Sequence, residues 1–158
     1  MKKIILAGFG YLGKFIEQQA DFNEKKVLYK LSRNPDKHCN GFGNHIEVDF
    51  DKEKFDITEI LDESTIIYMA PPNKDRDRDP RLENFLNNTK KSNIEKIVYI
   101  STSGVYGDCD GSSVSENAEL KPLTNRAKKR VVAEKMIMEY SAVNNTNYVI
   151  LRVPGIYG

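Results

Sequence analysis

A short apolar run near the amino terminus constrains the fold more than any other feature, because it turns through three glycines into an amphipathic segment. Residues Ile4 to Ala7 predict a buried parallel strand, since they are continuous, apolar and β-branched at the start. The segment after them carries apolar side chains at helical spacing: Leu12, Phe15, Ile16 and Ala20. That spacing predicts a helix with one apolar stripe. The chain therefore opens with a strand, a tight turn and a helix.

The glycines between this strand and this helix follow the pattern Gly8-x-Gly10-x-x-Gly13. In a dinucleotide-binding turn, the first glycine permits the tight turn, the second lets a pyrophosphate approach bare backbone, and the third lets helix and strand pack closely. The helix N-terminus then offers unpaired N–H groups and a positive dipole end to the phosphates. The cofactor contacts that this pattern predicts are Gly8, Phe9, Gly10, Tyr11, Leu12 and Gly13.

Two other interpretations of the turn compete with the dinucleotide one. The first is a tight strand–helix turn without a ligand. The second is a P-loop for a nucleoside triphosphate, because Gly8-x-x-x-x-Gly13-Lys14 matches that pattern up to its last position. There Phe15 replaces the Ser or Thr that would hold magnesium. The additional glycine at Gly10 and the missing hydroxyl both favour a dinucleotide.

Length and charge exclude several other classes of protein. A chain of 158 residues supports one sizeable core, so we expect one domain over residues 1–158. The 24 basic and 23 acidic residues give a net charge of +1, which provides no electrostatic reason to expect nucleic acid or an acidic membrane as a partner. No apolar run reaches transmembrane length, and we expect a cytoplasmic protein. The cysteines and histidines fall in no ligand motif, so no metal site is predicted.

Strand and helix patterns alternate along the chain, which predicts a parallel sheet covered on both faces. After the first strand, the predicted strands are Lys26–Leu31, Ile46–Phe50, Thr65–Ala70, Lys96–Ser101 and Tyr148–Val153. Residues 73–81 are charged and lack apolar side chains, which predicts an exposed loop. The apolar stripe of the long helix before the last strand is predicted at Val132, Met136, Tyr140 and Val143. We expect a Rossmann-type, doubly wound α/β sheet of about six parallel strands in the order 3-2-1-4-5-6.

The ends of the second, third and fourth strands supply further candidate cofactor contacts. In this fold an acidic residue at the end of the second strand binds the ribose 2′-hydroxyl of NAD. Ser32 and Arg33 stand there instead and would accept a 2′-phosphate, which favours NADP(H) over NAD(H). Asp49, at the predicted end of the third strand, would reach the adenine amino group, with a solvated carboxylate as the alternative. The residues at the switch point after the fourth strand are Ala70, Pro71 and Pro72.

The fifth strand and the turn after it read Val98-Tyr99-Ile100-Ser101-Thr102-Ser103-Gly104-Val105-Tyr106-Gly107. This run resembles the active-site strand of extended and atypical short-chain dehydrogenase/reductases, the NAD(P)-dependent epimerase/dehydratase family. Four other segments look like the family's cofactor-facing elements and occur along the chain in the family's order, at residues 8–13, 31–35, 68–72 and 151–158. The resemblance implies an oxidoreductase or epimerase acting on a small or nucleotide-linked carbonyl or alcohol.

The resemblance also implies roles for particular residues. Thr102 would hydrogen-bond the substrate oxygen while hydride moves to or from nicotinamide, with capping of its own backbone as the alternative. Tyr106 is the phenol nearest to the expected site and is a candidate acid, with packing in the Val-Tyr-Gly turn as the alternative. The further cofactor contacts implied are Ser101, Arg130 and Pro154.

One departure from the family concerns its acid/base pair, a Tyr followed four residues later by a Lys. Alignment of the long helix on Glu134 places Arg126 and Arg130 at those two positions. An arginine stays protonated and does not exchange its proton at neutral pH. The alternative to an enzyme is therefore a non-catalytic NAD(P)-binding sensor or scaffold.

A second departure concerns length. Family members continue past the Pro-Gly-Ile-Tyr-Gly segment into a smaller lobe that closes over the substrate, whereas this sequence stops at Gly158. We expect the cofactor cleft without its substrate wall, and we expect the apolar surface that the lobe would cover to favour a homo-oligomer. A P-loop phosphotransferase is the third function considered, and Phe15 disfavours it.

Overall fold

Six parallel strands form one sheet in the part of the chain that the computed structural model describes, residues 2–19, 26–35, 41–73 and 78–155. The strands β1 to β6 are Lys2–Ala7, Lys26–Ser32, Asn44–Glu47, Ser64–Tyr68, Lys96–Thr102 and Asn147–Val153. The helices α1 to α4 are Tyr11–Gln19, Thr58–Leu61, Pro80–Thr89 and Asn125–Asn144. Each helix in these ranges is too short or too polar to span a bilayer.

The strand order is β3-β2-β1-β4-β5-β6, which confirms the predicted Rossmann-type α/β sheet. In the register, Ile5 of β1 lies between Tyr29 of β2 and Ile66 of β4. The chain therefore leaves β1 toward one side of the sheet and later returns to its other side. Because this reversal occurs at β1, the switch point of the sheet lies just beyond Ala7.

Aromatic rings join the sheet to the helices on one face. The ring of Phe50 lies 5.9 Å from that of Tyr68 and 5.4 Å from that of Phe85. Tyr68 in turn lies 6.0 Å from Tyr99. All four side chains are buried, and burial of one such side chain contributes roughly 1.5–3 kcal/mol. The rings therefore hold α3 firmly against β4 and β5, below the carboxyl edge of the sheet.

The third strand differs from the sequence prediction. It was expected at Ile46–Phe50, whereas β3 is Asn44–Glu47, so Asp49 lies two residues beyond the strand end. Val48 and Phe50 are apolar because they are buried in the core after the strand, not because they belong to it. The true strand is at the edge of the sheet and carries polar residues, so its sequence has little apolar signal.

The other five strands begin and end within two residues of their predicted positions. The backbone N–H of Met69 donates to the carbonyl of Ala7 at 2.8 Å, so the alignment of β4 with β1 continues past the strand end. Ala20 and residues 156–158 of the carboxyl-terminal motif lie outside the described residues.

The apolar stripe predicted for α4 is partly wrong. Val143 is 84% exposed and Val132 is half-exposed, whereas Tyr140 is buried as expected. The buried face instead includes the charged residues Arg130 and Glu134. Since both have buried hydrogen-bond partners, the helix turns a partly polar face to the sheet, which hydrophobic periodicity does not reveal.

The charged segment 73–81 also differs from the exposed loop that was predicted. The structure places Pro80 and Arg81 in the first turn of α3 and buries Asp79. The carboxylate of Asp79 caps the helix, accepting from the backbone N–H of Leu82 at 3.4 Å. Residues 74–77 lie outside the described residues. A capping aspartate followed by proline is a helix-start signal.

Candidate functional site

A cavity of about 250 Å³ opens at the switch point of the sheet. It is bounded by the ends of β1, β2 and β4 and by the residues that follow β3. The predicted contacts that line it together are Gly8, Phe9, Gly10, Ser32, Arg33, Asp49, Ala70 and Pro71. The cavity is also lined by Asn34, Val48, Phe50 and Arg81. The structure thus brings most of the predicted cofactor contacts around one space.

Gly8 and Gly10 differ in the space that a side chain would have at each position. Gly8 has a φ of +86°, and a Cβ there would stand 2.6 Å from the backbone nitrogen of Ala70. A Cβ on Gly10 would instead have open space, since the nearest atom, the carbonyl oxygen of Gly8, lies 4.0 Å away. The fold therefore requires glycine at Gly8, whereas the described part of the chain leaves room for a side chain at Gly10.

Gly13 and Phe9 explain how the helix comes close to the strand. A Cβ on Gly13 would stand 2.6 Å from the Phe9 ring. The backbone N–H groups of Gly8 and Phe9 both donate to the carbonyl of Leu31, at 3.1 and 2.8 Å, and so fix the turn against β2. α1 thus begins at the cavity, where its first backbone N–H groups lack helical partners. Four predicted contacts near the glycine turn and the end of β4 are not among the lining residues: Tyr11, Leu12, Gly13 and Pro72.

Ser32 and Arg33 line the cavity at the end of β2. The hydroxyl of Ser32 lies 2.8 Å from Nε2 of His45 on β3, which fixes its position. The side chain of Arg33 is 58% exposed, and its Nη1 lies 3.4 Å from Oδ2 of Asp51. A hydroxyl and a guanidinium therefore stand where the ribose of a dinucleotide lies in this fold.

Asp51 and Arg81 form an ion pair beside the cavity that the sequence analysis missed. Nε of Arg81 donates to Oδ1 of Asp51 and Nη2 donates to Oδ2, each at 2.7 Å. The amide of Asn73 also donates to Oδ1, at 3.4 Å. The Arg81 hydrogen bonds, followed by the charges of Arg81 and then Arg33, hold the pKa of Asp51 below its usual value against the opposing effect of burial. Thirty residues separate the pair in sequence, so no local pattern signals it.

The residues predicted at the end of β5 form a second group, away from this lining. The hydroxyl of Thr102 accepts from the backbone N–H of Gly104 at 3.2 Å and so caps the 3₁₀ turn Ser103–Tyr106. Ser101 is buried, and its hydroxyl donates to the carboxylate of Glu134. The structure thus gives both side chains a local structural partner, and their roles toward substrate and cofactor stay predictions.

Tyr106 and Pro154 line a different cavity, of about 930 Å³, along β6. Nη1 of Arg152 donates to the Tyr106 hydroxyl at 2.7 Å and stands beside its ring. Arg152 is held in turn by Glu134, to which its Nη2 donates at 2.8 Å. The candidate acid Tyr106 is therefore positioned by a fixed cation, while its catalytic role stays a prediction.

The two arginines at the positions of the family's Tyr and Lys have unlike surroundings. Arg126 is exposed. Arg130 is buried, and its Nη1 donates to the hydroxyl of Tyr99 at 2.7 Å. Burial raises the pKa of Tyr99 to about 12, although Arg130 opposes the shift. The guanidinium of Arg130 therefore contacts the core below β5, and its predicted contact with the cofactor stays untested.

A parallel sheet of this order, with a glycine-lined cavity at its switch point, is a Rossmann fold. The model of the NAD dependent epimerase/dehydratase family matches residues 4–158. The chain belongs to that family.

Known proteins resemble the chain in sequence over part of its length and in fold over all of it. Over 76 residues the chain is 36% identical to a Methanocaldococcus jannaschii protein provisionally named UDP-glucose 4-epimerase, an alignment that covers 48% of this chain and 25% of that protein. UDP-glucuronic acid 4-epimerase from Bacillus cereus, solved in complex with NAD, superimposes with a TM-score of 0.79 at 22% identity, over 100% of this chain and 58% of that one. UDP-N-acetylglucosamine 4-epimerase from the same organism gives 0.76 at 18%, over 100% and 60%. The chain thus spans little more than half the length of these structures.

Proposed function

We propose that this chain binds a nicotinamide dinucleotide in the cavity at the end of β1, and that it prefers NADP(H) to NAD(H). The contrast between Gly8 and Gly10 carries the proposal. The fold needs Gly8 for its own backbone, whereas Gly10 leaves open space beside the cavity, which suits the close approach of a pyrophosphate. A turn that served folding alone would not need the second glycine.

The other cavity residues suit the remaining parts of the cofactor. Ser32 and Arg33 offer a hydroxyl and a cation to a 2′-phosphate, and no acid occupies their place. Asp49 offers a carboxylate to the adenine amino group. Ala70, which packs against Gly8, and Pro71 add apolar surface to the lining. These groups fit a phosphorylated adenosine better than an unphosphorylated one.

The reaction proposed is redox or epimerase chemistry on a small or nucleotide-linked carbonyl or alcohol. Relatives named for UDP-sugar epimerization support the nucleotide-linked class. Bound nicotinamide would supply or accept hydride. Within the chain, Thr102 would orient the substrate oxygen, and Tyr106 beside Arg152 would exchange the proton.

A second candidate is a non-catalytic NAD(P)-binding sensor or scaffold. One observation favours it: the positions of the family's Tyr and Lys hold Arg126, which is exposed, and Arg130, which donates to Tyr99 in the core. Neither arginine exchanges a proton at neutral pH. Cofactor binding would then persist without turnover.

The first test is a calorimetric titration of the protein with NADPH, NADH and magnesium ATP. We expect NADPH to bind more tightly than NADH, and ATP not to bind. Folded protein that binds neither dinucleotide would refute the proposal, and magnesium-dependent ATP binding would restore the P-loop interpretation. Lys14→Ala is the control, because a P-loop needs this lysine and a dinucleotide turn does not.

The second test separates the enzyme from the sensor. The cofactor-loaded protein is incubated with UDP-glucose or UDP-glucuronic acid, and nicotinamide absorbance and sugar products are followed. Turnover that falls in Thr102→Val and Tyr106→Phe supports the enzyme. Activity that persists in Tyr106→Phe removes that residue as the acid, and tight binding without turnover supports the sensor.

A further inference from the structure

We propose that Arg81 is a second arginine of the 2′-phosphate site, held in place by Asp51, and that it determines the preference for NADP(H). The inference rests on the proposed function, because it takes the cavity to be the cofactor site. It concerns a residue on α3, far in sequence from the end of β2, where the fold places its ribose contacts.

The guanidinium of Arg81 is fixed on two sides. Its Nε and Nη2 bond the two carboxylate oxygens of Asp51, both at 2.7 Å, and its Nη1 donates to the carbonyl of Pro71 at 3.1 Å. The side chain is only 17% exposed. A planar fork held in this way loses little conformational entropy when it binds an anion. Arg81 is therefore pre-organised at the cavity that it lines.

These bonds leave Arg81 with donors to spare. A guanidinium has five N–H groups, and the bonds to Asp51 and Pro71 use three of them within the described part of the chain. The two remaining N–H groups belong to the two terminal nitrogens, Nη1 and Nη2, and charged N–H groups of this kind are donors that phosphate oxygens accept. Arg81 can thus bind a phosphate without releasing Asp51.

Arg33 contacts the same carboxylate, that of Asp51, but its side chain is more exposed than that of Arg81 and its contact is longer. Its Nη1 lies 3.4 Å from Oδ2 of Asp51, the oxygen that Nη2 of Arg81 approaches at 2.7 Å. Because Arg33 is largely exposed and its contact is long, water screens the interaction and a phosphate can replace it. The guanidiniums of Arg81 and Arg33 thus both lie beside Oδ2 of Asp51. The guanidinium of Arg81 is fixed, whereas that of Arg33 is free to change its orientation. Together they form a clamp for a dianion.

The carboxylate of Asp49 also lines the cavity and limits where the phosphate can lie. Its Oδ1 accepts from the backbone N–H of Asp51 at 3.1 Å, which turns it toward its own loop. A phosphate at Arg33 and Arg81 meets two cations and the one carboxylate of Asp51, whereas a phosphate beside Asp49 meets a further carboxylate. The anion therefore belongs on the arginine side of the cavity, and the adenine on the side of Asp49.

The experiment compares two pairs of probes that differ only by the 2′-phosphate: 2′,5′-ADP with 5′-AMP, and NADPH with NADH. Affinities are measured by calorimetry for the wild type, Arg81→Gln and the control Arg78→Gln. Arg78 has the same charge and lies three residues away, but it is 78% exposed and contacts Glu83. We expect Arg81→Gln to weaken 2′,5′-ADP and NADPH about tenfold and to change 5′-AMP and NADH by less than about twofold. Arg78→Gln should change none of them.

Each other outcome overturns the inference. If Arg81→Gln weakens both members of each pair equally, the residue only shapes the cavity. If it weakens neither, the residue does not contact the ligand. If Arg78→Gln has the same effect, the cause is general charge and not a site. A wild type that binds NADPH no better than NADH removes the proposed preference itself, and that result is distinguishable because it appears before any variant is tested.

Discussion

Arg130 and Tyr99 are paired inside the core: Nη1 of the arginine donates to the phenol oxygen at 2.7 Å, and the guanidinium carbon lies 5.3 Å from the ring centroid. Both side chains are buried. A charge placed so deep needs a hydrogen-bond partner. The pair therefore fastens α4 to β5 directly beneath the edge of the sheet that carries Thr102.

Tyr99→Phe should destabilise the protein by about 1–3 kcal/mol, because it leaves the Arg130 donor buried without its partner. Urea unfolding followed by circular dichroism measures the change. Tyr148→Phe is the matched control, since the Tyr148 side chain is largely exposed on β6 and should tolerate the change. Equal stability of both variants would show that the hydrogen bond contributes nothing.

Arg152→Ala should cost about 3–5 kcal/mol, because it leaves the carboxylate of Glu134 buried with no cation. Glu134 is 1% exposed, and its other hydrogen-bond donor is the hydroxyl of Ser101. Thermal or urea unfolding measures the loss. The pair of Lys121 with Glu119 is exposed, so Lys121→Ala should leave the midpoint unchanged. A similar midpoint for both variants would contradict the role given to Arg152.

Gly8→Ala should destabilise the fold by about 1–3 kcal/mol or more, because φ there is +86° and the new Cβ would strike the backbone of Ala70. Gly10→Ala should leave the stability near that of the wild type, because its Cβ would have open space. Chemical denaturation of the two variants makes the comparison. The reverse ranking would show that the turn has been misassigned.

Ionisation of the Asp79 carboxyl should lower the free energy of unfolding of the wild type as the pH rises. Burial raises its pKa above the usual value, so the unfolded chain ionises first and unfolding is favoured between the two pKa values. Asp79→Asn keeps the helix cap and removes the charge. We expect its stability relative to the wild type to increase as the pH rises above the usual aspartate pKa of 3.8. Urea unfolding at each pH gives the difference.

Asp56 provides the control of opposite sign. Hydrogen bonds from Thr58 hold its pKa below the usual value, so its contribution is present above that value and is lost as the pH falls through the folded pKa. Asp56→Asn should therefore lose stability relative to the wild type as the pH rises. If both variants moved in the same direction, burial would not be the cause at Asp79.

The sequence predicts the glycine turn and the alternation of strands and helices because each element has a local signal. The apolar run and the three glycines lie within one short window, and the order of the sheet follows from the fold that the alternation along the chain implies. β3 was misplaced because an edge strand of polar residues has no apolar period, and Val48 and Phe50 beside it are buried for another reason. The pattern of apolar residues in a sequence indicates which residues are buried, but a buried residue need not belong to a strand.

The ion pairs could not be predicted from the sequence. Asp51 and Arg81 are 30 residues apart, and Arg152 and Glu134 are 18 apart, so only the folded sheet brings them together. The burial of Arg130 and Glu134 on α4 was likewise not predicted. Their burial depends on partners from β5 and β6, which a helical stripe of apolar residues does not include.

The most direct test of the central claim is NADPH binding by the wild type and by Gly10→Ala, measured by calorimetry on samples of equal folded stability. The account predicts that the wild type binds NADPH and that Gly10→Ala, with a methyl group on the open backbone, binds at least about tenfold more weakly. Equal affinity of the two proteins, or a folded wild type that does not bind NADPH, would contradict the claim that this cavity holds a dinucleotide.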